Sequence, residues 1–401
     1  MKYKKLTEQP ITAMMLNVTD ECNLCCPYCF TEPNPKRMSL NTGLKAIKWL
    51  IKYNNTKIKN GDKKDSLFIS FFGGEPTLYW ESFILPLMEL TQIDDEIVNT
   101  PISWGITTNG QLLNREMIKT FTEKYNGNIL LSIDGDRETQ NINRPRKDGE
   151  DSFQPILESI PDLLDFQPRI TFRSTIIPKT VHLLFKNYLT ARSLGFSSYF
   201  CTPNLREEWK SEEWDILNEQ IELIYSQILD DVAQDIPPVN CSFLNSSLKN
   251  ILLNNYDMEK SHKRCGIGIT SVGISTQGDI IGCQEHSTYS KEDLFFIGTL
   301  DKGINKRKHL KLIKSFLSKD NFYYLNKEDC LKCKLFSFCQ QNTCPSANFN
   351  ATKNIRKFPL NTCNWNKILA FNAETFLQKI IDSKSPKFIE YLQISTEGSN
   401  I

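Results

Sequence analysis

Three cysteines in one short segment are the residues of this 401-residue chain best suited to chemistry. Cys22, Cys26 and Cys29 are spaced C-x3-C-x2-C. Three thiolates at this spacing suit three irons of a [4Fe–4S] cluster, and they leave the fourth iron without a protein ligand. S-adenosylmethionine (SAM) suits such an open iron, because its amino and carboxylate groups chelate iron and its sulfonium accepts an electron.

Two other interpretations of this segment stay open from the residues alone: three buried cysteines without a metal, and a zinc knuckle. Structural zinc sites usually take four protein ligands, so three cysteines fit zinc poorly. Cys25 lies inside the motif and is interpreted as a buried or incidental thiol rather than as a ligand.

Apolar, β-forming runs alternate with helix-period patterns over the first half of the chain. The predicted strands are Ala13–Val18, Leu67–Phe72, Ile102–Thr108, Asn128–Ile133, Arg169–Ile177 and Ser197–Pro203. The predicted helices are Leu40–Tyr53, Leu78–Leu90, Arg115–Lys124, Phe153–Leu164 and Val181–Leu194 and, further on, Glu207–Asp231, Ser242–Leu253 and Lys367–Ile381. Six β-then-α units without hairpin signals favour a parallel sheet with helices outside it, either open or a partial barrel.

Four segments with chemical potential follow these predicted strands. The cysteine segment follows the first strand, Gly73–Pro76 the second, Asn109-Gly110 the third and Asp134-Gly135 the fourth. Because α/β folds place their sites at the carboxyl ends of parallel strands, we expect these segments to lie on one rim.

Composition limits the classes of function. The formal net charge of +1 implies no general attraction to nucleic acid or to anionic membranes. Thirteen cysteines are too few for a disulfide scaffold, and their tight spacings predict metal ligation in a reducing compartment. No apolar run is long enough for a transmembrane helix, and no signal cleavage site follows the basic N-terminus, so we expect a cytoplasmic protein.

Gly73-Gly74-Glu75-Pro76 and the C-x3-C-x2-C spacing together resemble the radical SAM superfamily, whose GGEP motif the first segment matches. The resemblance implies SAM bound to a cluster on Cys22, Cys26 and Cys29. Glycines let the backbone approach a ligand closely, and the Glu75 carboxylate is expected to accept hydrogen bonds from the methionine amino group of SAM.

Four further residues resemble family positions. Asn109 matches the T-N-G turn, and Ser132 matches the serine of an S-x-D-G segment that contacts the SAM ribose or carboxylate. Tyr28 holds the aromatic position whose backbone meets the adenine. Arg144 resembles the arginine that pairs with the methionine carboxylate in peptide- and sulfatase-modifying members, and a plain surface charge is the alternative for it.

The C-terminal cysteines resemble the SPASM domain, which binds auxiliary [4Fe–4S] clusters, over residues 262–370. The resemblance assigns one cluster to Cys265, Cys283 and Cys344, and another to Cys330, Cys333, Cys339 and Cys363. Two features depart from the family: four residues instead of three separate Cys339 from Cys344, and the first cluster has only three ligands. Either Cys241 supplies a fourth ligand, or the fourth iron is open to a substrate thiolate. Zinc ribbons are the alternative for the whole set.

The fold class implied by the resemblance is α/β, a partial (β/α)6 TIM barrel with a C-terminal cysteine-rich SPASM-like domain. The predicted division is a radical SAM partial barrel over 1–205, a helical bridge over 206–261, the SPASM-like domain over 262–370, and a C-terminal helix and tail over 371–401. About a dozen residues precede the first strand, too few for an N-terminal leader-binding domain.

The resemblance implies an oxidoreductase that cleaves SAM to a 5′-deoxyadenosyl radical and oxidises a side chain of a ribosomally made peptide, with a thioether or other crosslink as product. The implied partners are a peptide or protein substrate, a reductant such as flavodoxin or ferredoxin, and a separate leader-peptide recognition protein. No nucleic acid and no membrane is expected as a partner.

The main alternative is an anaerobic sulfatase-maturing, formylglycine-generating enzyme. In that group a catalytic aspartate directly follows an auxiliary-cluster cysteine, where this chain has Gln284. Glu285 and His286 are the substitute candidates for a base. A non-catalytic cluster-bearing partner protein and an enzyme acting on a small metabolite are further hypotheses.

Overall fold

The computed structural model describes residues 6–31, 34–57, 66–253, 266–286, 291–317, 322–341 and 343–397. The fold is α/β, which confirms the predicted class. The chain forms two compact units. The first contains residues 1–25, 29–130 and 262–321, and the second contains residues 26–28, 131–261 and 322–401.

The strands are β1 (Ala13–Thr19), β2 (Leu67–Gly73), β3 (Ile102–Thr108), β4 (Gly127–Leu131), β5 (Thr171–Ile176), β6 (Ser198–Pro203), β7 (Asn240–Cys241), β8 (Ser271–Ile274), β9 (Asp279–Ile281), β10 (Phe296–Thr299) and β11 (Gly303–Ile304). The α-helices are α1 (Leu40–Asn55), α2 (Leu85–Ile93), α3 (Arg115–Lys119), α4 (Arg137–Asn143), α5 (Gln154–Phe166), α6 (Leu184–Ser193), α7 (Ser211–Ala233), α8 (Ser242–Leu253), α9 (Lys306–Leu317), α10 (Lys327–Lys332), α11 (Phe336–Gln341), α12 (Pro345–Thr352), α13 (Leu360–Ser383) and α14 (Pro386–Glu397).

One eight-stranded sheet runs through the first unit in the order β11-β10-β9-β8-β1-β2-β3-β4. Strand β1 pairs in parallel with β2 and β8, and β2 pairs in parallel with β3. Strands β8 to β11 continue the sheet as antiparallel neighbours. The strand that precedes each motif segment therefore lies beside the strand that precedes the next.

The apolar core of the first unit is built on these strands. Leu16, Ile69 and Phe71 are completely buried, and the Phe71 ring stacks on Trp104 of β3 at 5.3 Å. Helix α1 begins after Ser39, whose hydroxyl accepts the Thr42 amide, and such a cap satisfies an amide that the helix leaves open. The burial of each large apolar side chain stabilises this sheet by on the order of 2 kcal/mol.

The second unit contains a parallel sheet in the order β5-β6-β7. Helices α7, α8, α13 and α14 pack against one another, with the rings of Tyr225 and Phe376 in edge contact at 5.3 Å. A single parallel bridge joins Ser132 to Arg173 of β5. None of the helices in the described ranges offers the run of apolar residues that a bilayer crossing needs.

All six predicted strands are present, and the main differences lie in the helices and the C-terminal half. The predicted helix Leu78–Leu90 is instead a 3₁₀ turn, a π-helical turn (Trp80–Ile84) and α2, because Pro86 has no amide hydrogen to continue the hydrogen-bond ladder. Strands β7 to β11 were not predicted, since runs of two to four residues show no periodicity.

Candidate functional site

The two glycines of the Gly73–Pro76 segment lie against the backbone that leads into the first cysteine. The Gly74 amide donates to Thr19 O and the Glu75 amide donates to Glu21 O, both at 2.7 Å. A Cβ on Gly74 would lie 2.1 Å from Glu21 O, and Gly73 has φ +138°. Only glycine fits both positions. The backbone of the glycine-rich segment can therefore lie directly against the cysteine loop.

Glu75 lies almost completely buried at the centre of this arrangement, 1% exposed. Its Oε1 accepts hydrogen bonds from the Thr77 amide (3.0 Å), the Thr77 hydroxyl (2.6 Å) and the Thr108 hydroxyl (2.8 Å). Its Oε2 accepts the Asn109 amide at 2.7 Å. Burial raises the pKa of Glu75, and these four hydrogen bonds oppose the rise. The carboxylate thus ties the Gly73–Pro76 segment to the T-N-G turn.

The side chain of Asn109 contacts the segment that contains the first cysteine of the motif. Its Nδ2 donates to Asn23 Oδ1 at 2.8 Å and lies 3.6 Å from the Sγ of Cys22. The Leu24 amide also points at this sulfur, at 3.4 Å. Burial raises the pKa of Cys22, while the two N–H groups lower it by stabilising the thiolate. Three predicted segments are therefore joined by hydrogen bonds around one cysteine.

Tyr28 is fixed through its hydroxyl in the second unit. The phenol donates to Oδ2 of Asp134, at 2.5 Å, and the other oxygen of Asp134 accepts the Thr175 amide at 2.9 Å. Burial raises the pKa of Tyr28 well above its ordinary value, so the hydroxyl stays protonated and donates. Asp134 is completely buried.

Arg144 completes this network. Its Nη2 lies 3.0 Å from Asp134 Oδ1, and its guanidinium lies over the Tyr28 ring at 5.5 Å from the centroid. Burial lowers the pKa of Arg144, but Asp134, Tyr28 and Cys26 together raise it by more, so the group stays charged. The charged guanidinium of Arg144 thus interacts electrostatically with Cys26.

Asp134 was predicted to lie on the rim of strand ends, but no role was assigned to its carboxylate. The role in its segment was assigned to Ser132, which is partly exposed and pairs with Arg173. Asp134 instead holds both Tyr28 and Arg144, two residues that were predicted to meet SAM. The available signal was a carboxylate directly after an apolar strand, where a buried charge needs partners.

Four of the predicted auxiliary-cluster cysteines lie together in the second unit. Burial, together with the nearby Cys363, Cys333 and Cys330, raises the pKa of Cys339 to about 12. The Cys330 sulfur faces the Leu325 amide at 3.3 Å. The structure thus brings together the four cysteines that were assigned to one cluster.

The other predicted C-terminal cysteines differ in their exposure. Cys265 lies outside the described residues, Cys283 is buried and Cys344 is exposed. Cys241 is completely buried in β7, where burial and the neighbouring Cys201 raise its pKa.

Gln284, Glu285 and His286 form one 3₁₀ turn directly after Cys283. His286 is buried and stacks on the Phe295 ring, whereas Gln284 and Glu285 are partly exposed. His286 therefore packs in the interior, and the two residues before it reach the surface.

The thiols of the N-terminal motif fit iron–sulfur chemistry. Cys22, Cys26 and Cys29 are free thiols, and Cys25 beside them is exposed, not buried. Among the described residues no three His, Cys, Asp or Glu side chains converge on a single metal ion. Each ligand of a [4Fe–4S] cluster binds a different iron, so convergence on one point is not required. Thiolates are the ligands that such clusters prefer.

The cysteine segment follows β1, and the glycine-rich segment follows β2, its parallel neighbour in the sheet. The Radical SAM superfamily model matches residues 16–182, so this part of the chain is a radical SAM domain.

Two relatives are similar to this chain over most of its length. The chain is 24% identical over 380 residues to radical SAM cyclopropyl synthase TigE of Paramaledivibacter caminithermalis, covering 90% of this chain and 74% of the relative. It is 22% identical over 349 residues to a cysteine-type anaerobic sulfatase-maturating enzyme of Clostridium perfringens, covering 82% and 88%. The solved structure of native anSMEcpe with bound AdoMet and Cp18Cys peptide has a TM-score of 0.69 at 19% identity, covering 93% of this chain and 99% of the other. At that identity the likeness shows a shared fold.

Proposed function

We propose that this protein is a radical SAM enzyme that oxidatively modifies a side chain of a ribosomally made peptide, with a thioether or other crosslink as product. The observation that carries the proposal is the hydrogen-bonded series Glu75–Asn109–Cys22. It joins a GGEP segment, a T-N-G turn and the first cysteine of a C-x3-C-x2-C motif, three features that come from separate parts of the chain.

In this proposal Cys22, Cys26 and Cys29 hold the SAM-binding cluster. When bound and reduced, that cluster supplies the electron that splits SAM into methionine and a 5′-deoxyadenosyl radical. The residues of the chain orient the parts: Glu75 fixes the glycine-rich segment, Asn109 directs an N–H group at the Cys22 sulfur, and Asp134 fixes Tyr28. Preorganised groups of this kind favour a reaction because they need not reorganise during it.

The oxidative outcome belongs to the same proposal. In it, a SPASM-like domain follows a partial (β/α)6 barrel, and two auxiliary clusters held by that domain would accept the second electron. The proximity of Cys330, Cys333, Cys339 and Cys363 supports the second of them. The proposal also includes a reducing cytoplasm, a flavodoxin or ferredoxin as reductant, and a separate leader-recognition protein.

A second candidate function is sulfatase maturation, which the similarity to a sulfatase-maturating enzyme over most of both chains favours. The position after Cys283 argues against it, because Gln284 carries an amide that cannot take up a proton as a carboxylate does. Peptide crosslinking is therefore the preferred function.

The test is anaerobic incubation of the reconstituted protein with SAM, dithionite and candidate precursor peptides. We expect release of 5′-deoxyadenosine and, by tandem mass spectrometry, a peptide that has lost two hydrogens. A crosslinked product does not react with a hydrazide, whereas formylglycine does, so hydrazide labelling separates the two functions.

Cys22→Ala and Cys201→Ala form a matched pair of controls for this test. Only Cys22→Ala is expected to abolish 5′-deoxyadenosine release, because Cys201 is a buried thiol outside the motif. A wild-type protein that holds its clusters but does not cleave SAM contradicts the proposed function.

A further inference from the structure

One fully buried amide near the clustered cysteines of the second unit lacks hydrogen bonds. Asn366 is 0% exposed, and within the described ranges neither its Oδ1 nor its Nδ2 has a hydrogen-bond partner. Burying an amide without partners costs stability, which is why most buried polar side chains are paired. An amide kept in this state points to a partner that is acquired when the protein binds a ligand.

Asn366 lies on the helices that carry the cysteines. It follows Cys363 by three residues in α13, and residues three apart lie side by side on one face of a helix. Helix α11, which carries Cys339, packs against α13, and α10, which carries Cys330, packs against α11. Asn366 therefore belongs to the same group of packed helices as three of the four cysteines.

The cysteine that Asn366 affects is Cys339. Burial and Cys363 raise the pKa of Cys339, whereas the Asn366 amide lowers it by stabilising the thiolate. Yet the two side chains make no hydrogen bond of ordinary length and angle. A neutral thiol is a weak acceptor, and acceptors that carry negative charge bind N–H groups more strongly. The amide would thus gain its partner when Cys339 becomes an iron ligand.

We infer that Nδ2 of Asn366 donates a hydrogen bond to the Cys339 sulfur when this sulfur binds an iron of the second auxiliary cluster, and that this bond raises the reduction potential of the cluster. Reduction adds negative charge to the cluster, so a donor at one of its sulfurs stabilises the reduced state more than the oxidised one. The inference rests on the proposed function, since it assumes that Cys330, Cys333, Cys339 and Cys363 hold this cluster. Asn366 then tunes the group that accepts the second electron.

The first measurement is the potential of the cluster in Asn366→Leu, whose side chain is similar in size but has no donor. A redox titration of the holoenzyme is followed by electron paramagnetic resonance, and the signal that is missing from Cys339→Ala identifies the second auxiliary cluster. In Asn366→Leu its potential should fall by about 30–60 mV, which is a three- to tenfold change in the ratio of reduced to oxidised cluster. The potentials of the other clusters should stay unchanged.

The second measurement is the stability of the protein without its clusters. Leucine at position 366 removes a buried amide that has no partner in this state, so the urea midpoint of unfolding should rise in Asn366→Leu. A residue that served only to hold the helices together would change stability in the opposite direction.

Asn372 provides a matched control on the same helix. It is also buried, but its Nδ2 donates to Asn218 Oδ1 at 2.7 Å and to Ile368 O at 3.0 Å. Asn372→Leu should therefore lower the urea midpoint of the protein without clusters and leave the potential of the second auxiliary cluster unchanged.

Two results in Asn366→Leu overturn the inference: an unchanged potential, and a lower urea midpoint without clusters. If this variant fails to hold the second auxiliary cluster but is at least as stable as the wild type without clusters, the cluster needs the amide and the inference is supported. Loss of the cluster together with a lower urea midpoint overturns it. A wild-type holoenzyme without a signal that depends on Cys339 overturns the auxiliary cluster of the proposed function itself.

Discussion

The hydroxyl of Tyr28 donates a 2.5 Å hydrogen bond to the completely buried carboxylate of Asp134. Tyr28 lies between two cysteines of the motif, and Asp134 follows β4. The bond therefore ties the cysteine segment to a strand end more than a hundred residues later in the chain. Arg144 and the Thr175 amide bind the other oxygen of Asp134, Oδ1, and the Tyr28 hydroxyl supplies the hydrogen bond to Oδ2.

Tyr28→Phe should destabilise the protein without its cluster by about 1–3 kcal/mol, the range for a buried group left without its partner. Urea unfolding at neutral pH measures the change. Tyr79→Phe is the matched control: it removes a hydrogen bond to Glu21, which is partly exposed and remains hydrated, so the loss should stay below about 1 kcal/mol. Equal losses of stability in the two variants would show that the hydrogen bond to Asp134 contributes no more than the partly exposed one to Glu21.

Glu75→Gln should destabilise the protein by about 1–3 kcal/mol and reduce the iron content after reconstitution. The amide that replaces one carboxylate oxygen cannot accept the hydrogen bonds made to it, and a buried donor then faces another donor. Glu81→Gln, at an exposed position in the helical turn that follows, serves as the control and should leave both measurements unchanged. An unaltered iron content in Glu75→Gln would show that Glu75 does not support iron binding at the Cys22 site.

Cys339→Ala should lower the iron content from about 12 to about 8 atoms per chain, because it removes a ligand of one of three four-iron clusters. SAM cleavage with dithionite should persist in this variant, since the SAM-binding cluster is elsewhere. Cys201→Ala, a buried thiol outside every predicted cluster, should keep its iron. Wild-type protein that holds about four irons together with zinc would contradict the auxiliary clusters.

The stability of the protein without its clusters should fall as the pH drops below 6.5, partly because of His309. Burial lowers the pKa of His309 from 6.5, and the hydrogen bond between its Nε2 and Gly268 O opposes this shift only in part. The folded state thus holds the neutral ring. Stability from a lowered histidine pKa is present above the unfolded value and is lost as the pH falls through the folded value.

His309→Gln keeps a donor for Gly268 and removes the titration, so its unfolding midpoint in urea should fall less than that of the wild type between pH 7.5 and 5.5. His182→Gln, at an exposed position, should leave the pH dependence of the wild type unchanged. A His309→Gln protein with an unaltered pH dependence would rule out this role.

Much of the fold could be predicted from the sequence because the strands are long apolar runs. The predicted strand Ala13–Val18 differs from β1 by one residue, and Arg169–Ile177 contains the whole of β5. Helix α4 could not be predicted from periodicity, because its seven residues are mostly polar and its main signal is the Asp136 side chain that caps it.

The segments that form the candidate site could be predicted from the sequence, but the contacts between their side chains could not. Spacing identified Cys22 and Glu75, since motifs are local in the sequence. The partnership of Asp134 with Tyr28 and Arg144 depends on pairing between distant parts of the chain, which no local pattern records. The position of Arg173 beside Ser132 depends on strand register, and that is set by packing over a whole sheet.

The close approach of Gly74 to the cysteine loop also has a consequence for hydrogen exchange. The amides of Gly74 and Glu75 donate to Thr19 and Glu21, so they are shielded from solvent deuterium only while that loop keeps its place. Opening of the cysteine loop would expose amides of the glycine-rich segment at the same moment. Deuterium uptake at Gly74 and Glu75 is therefore a direct measure of how often the loop that carries Cys22 opens.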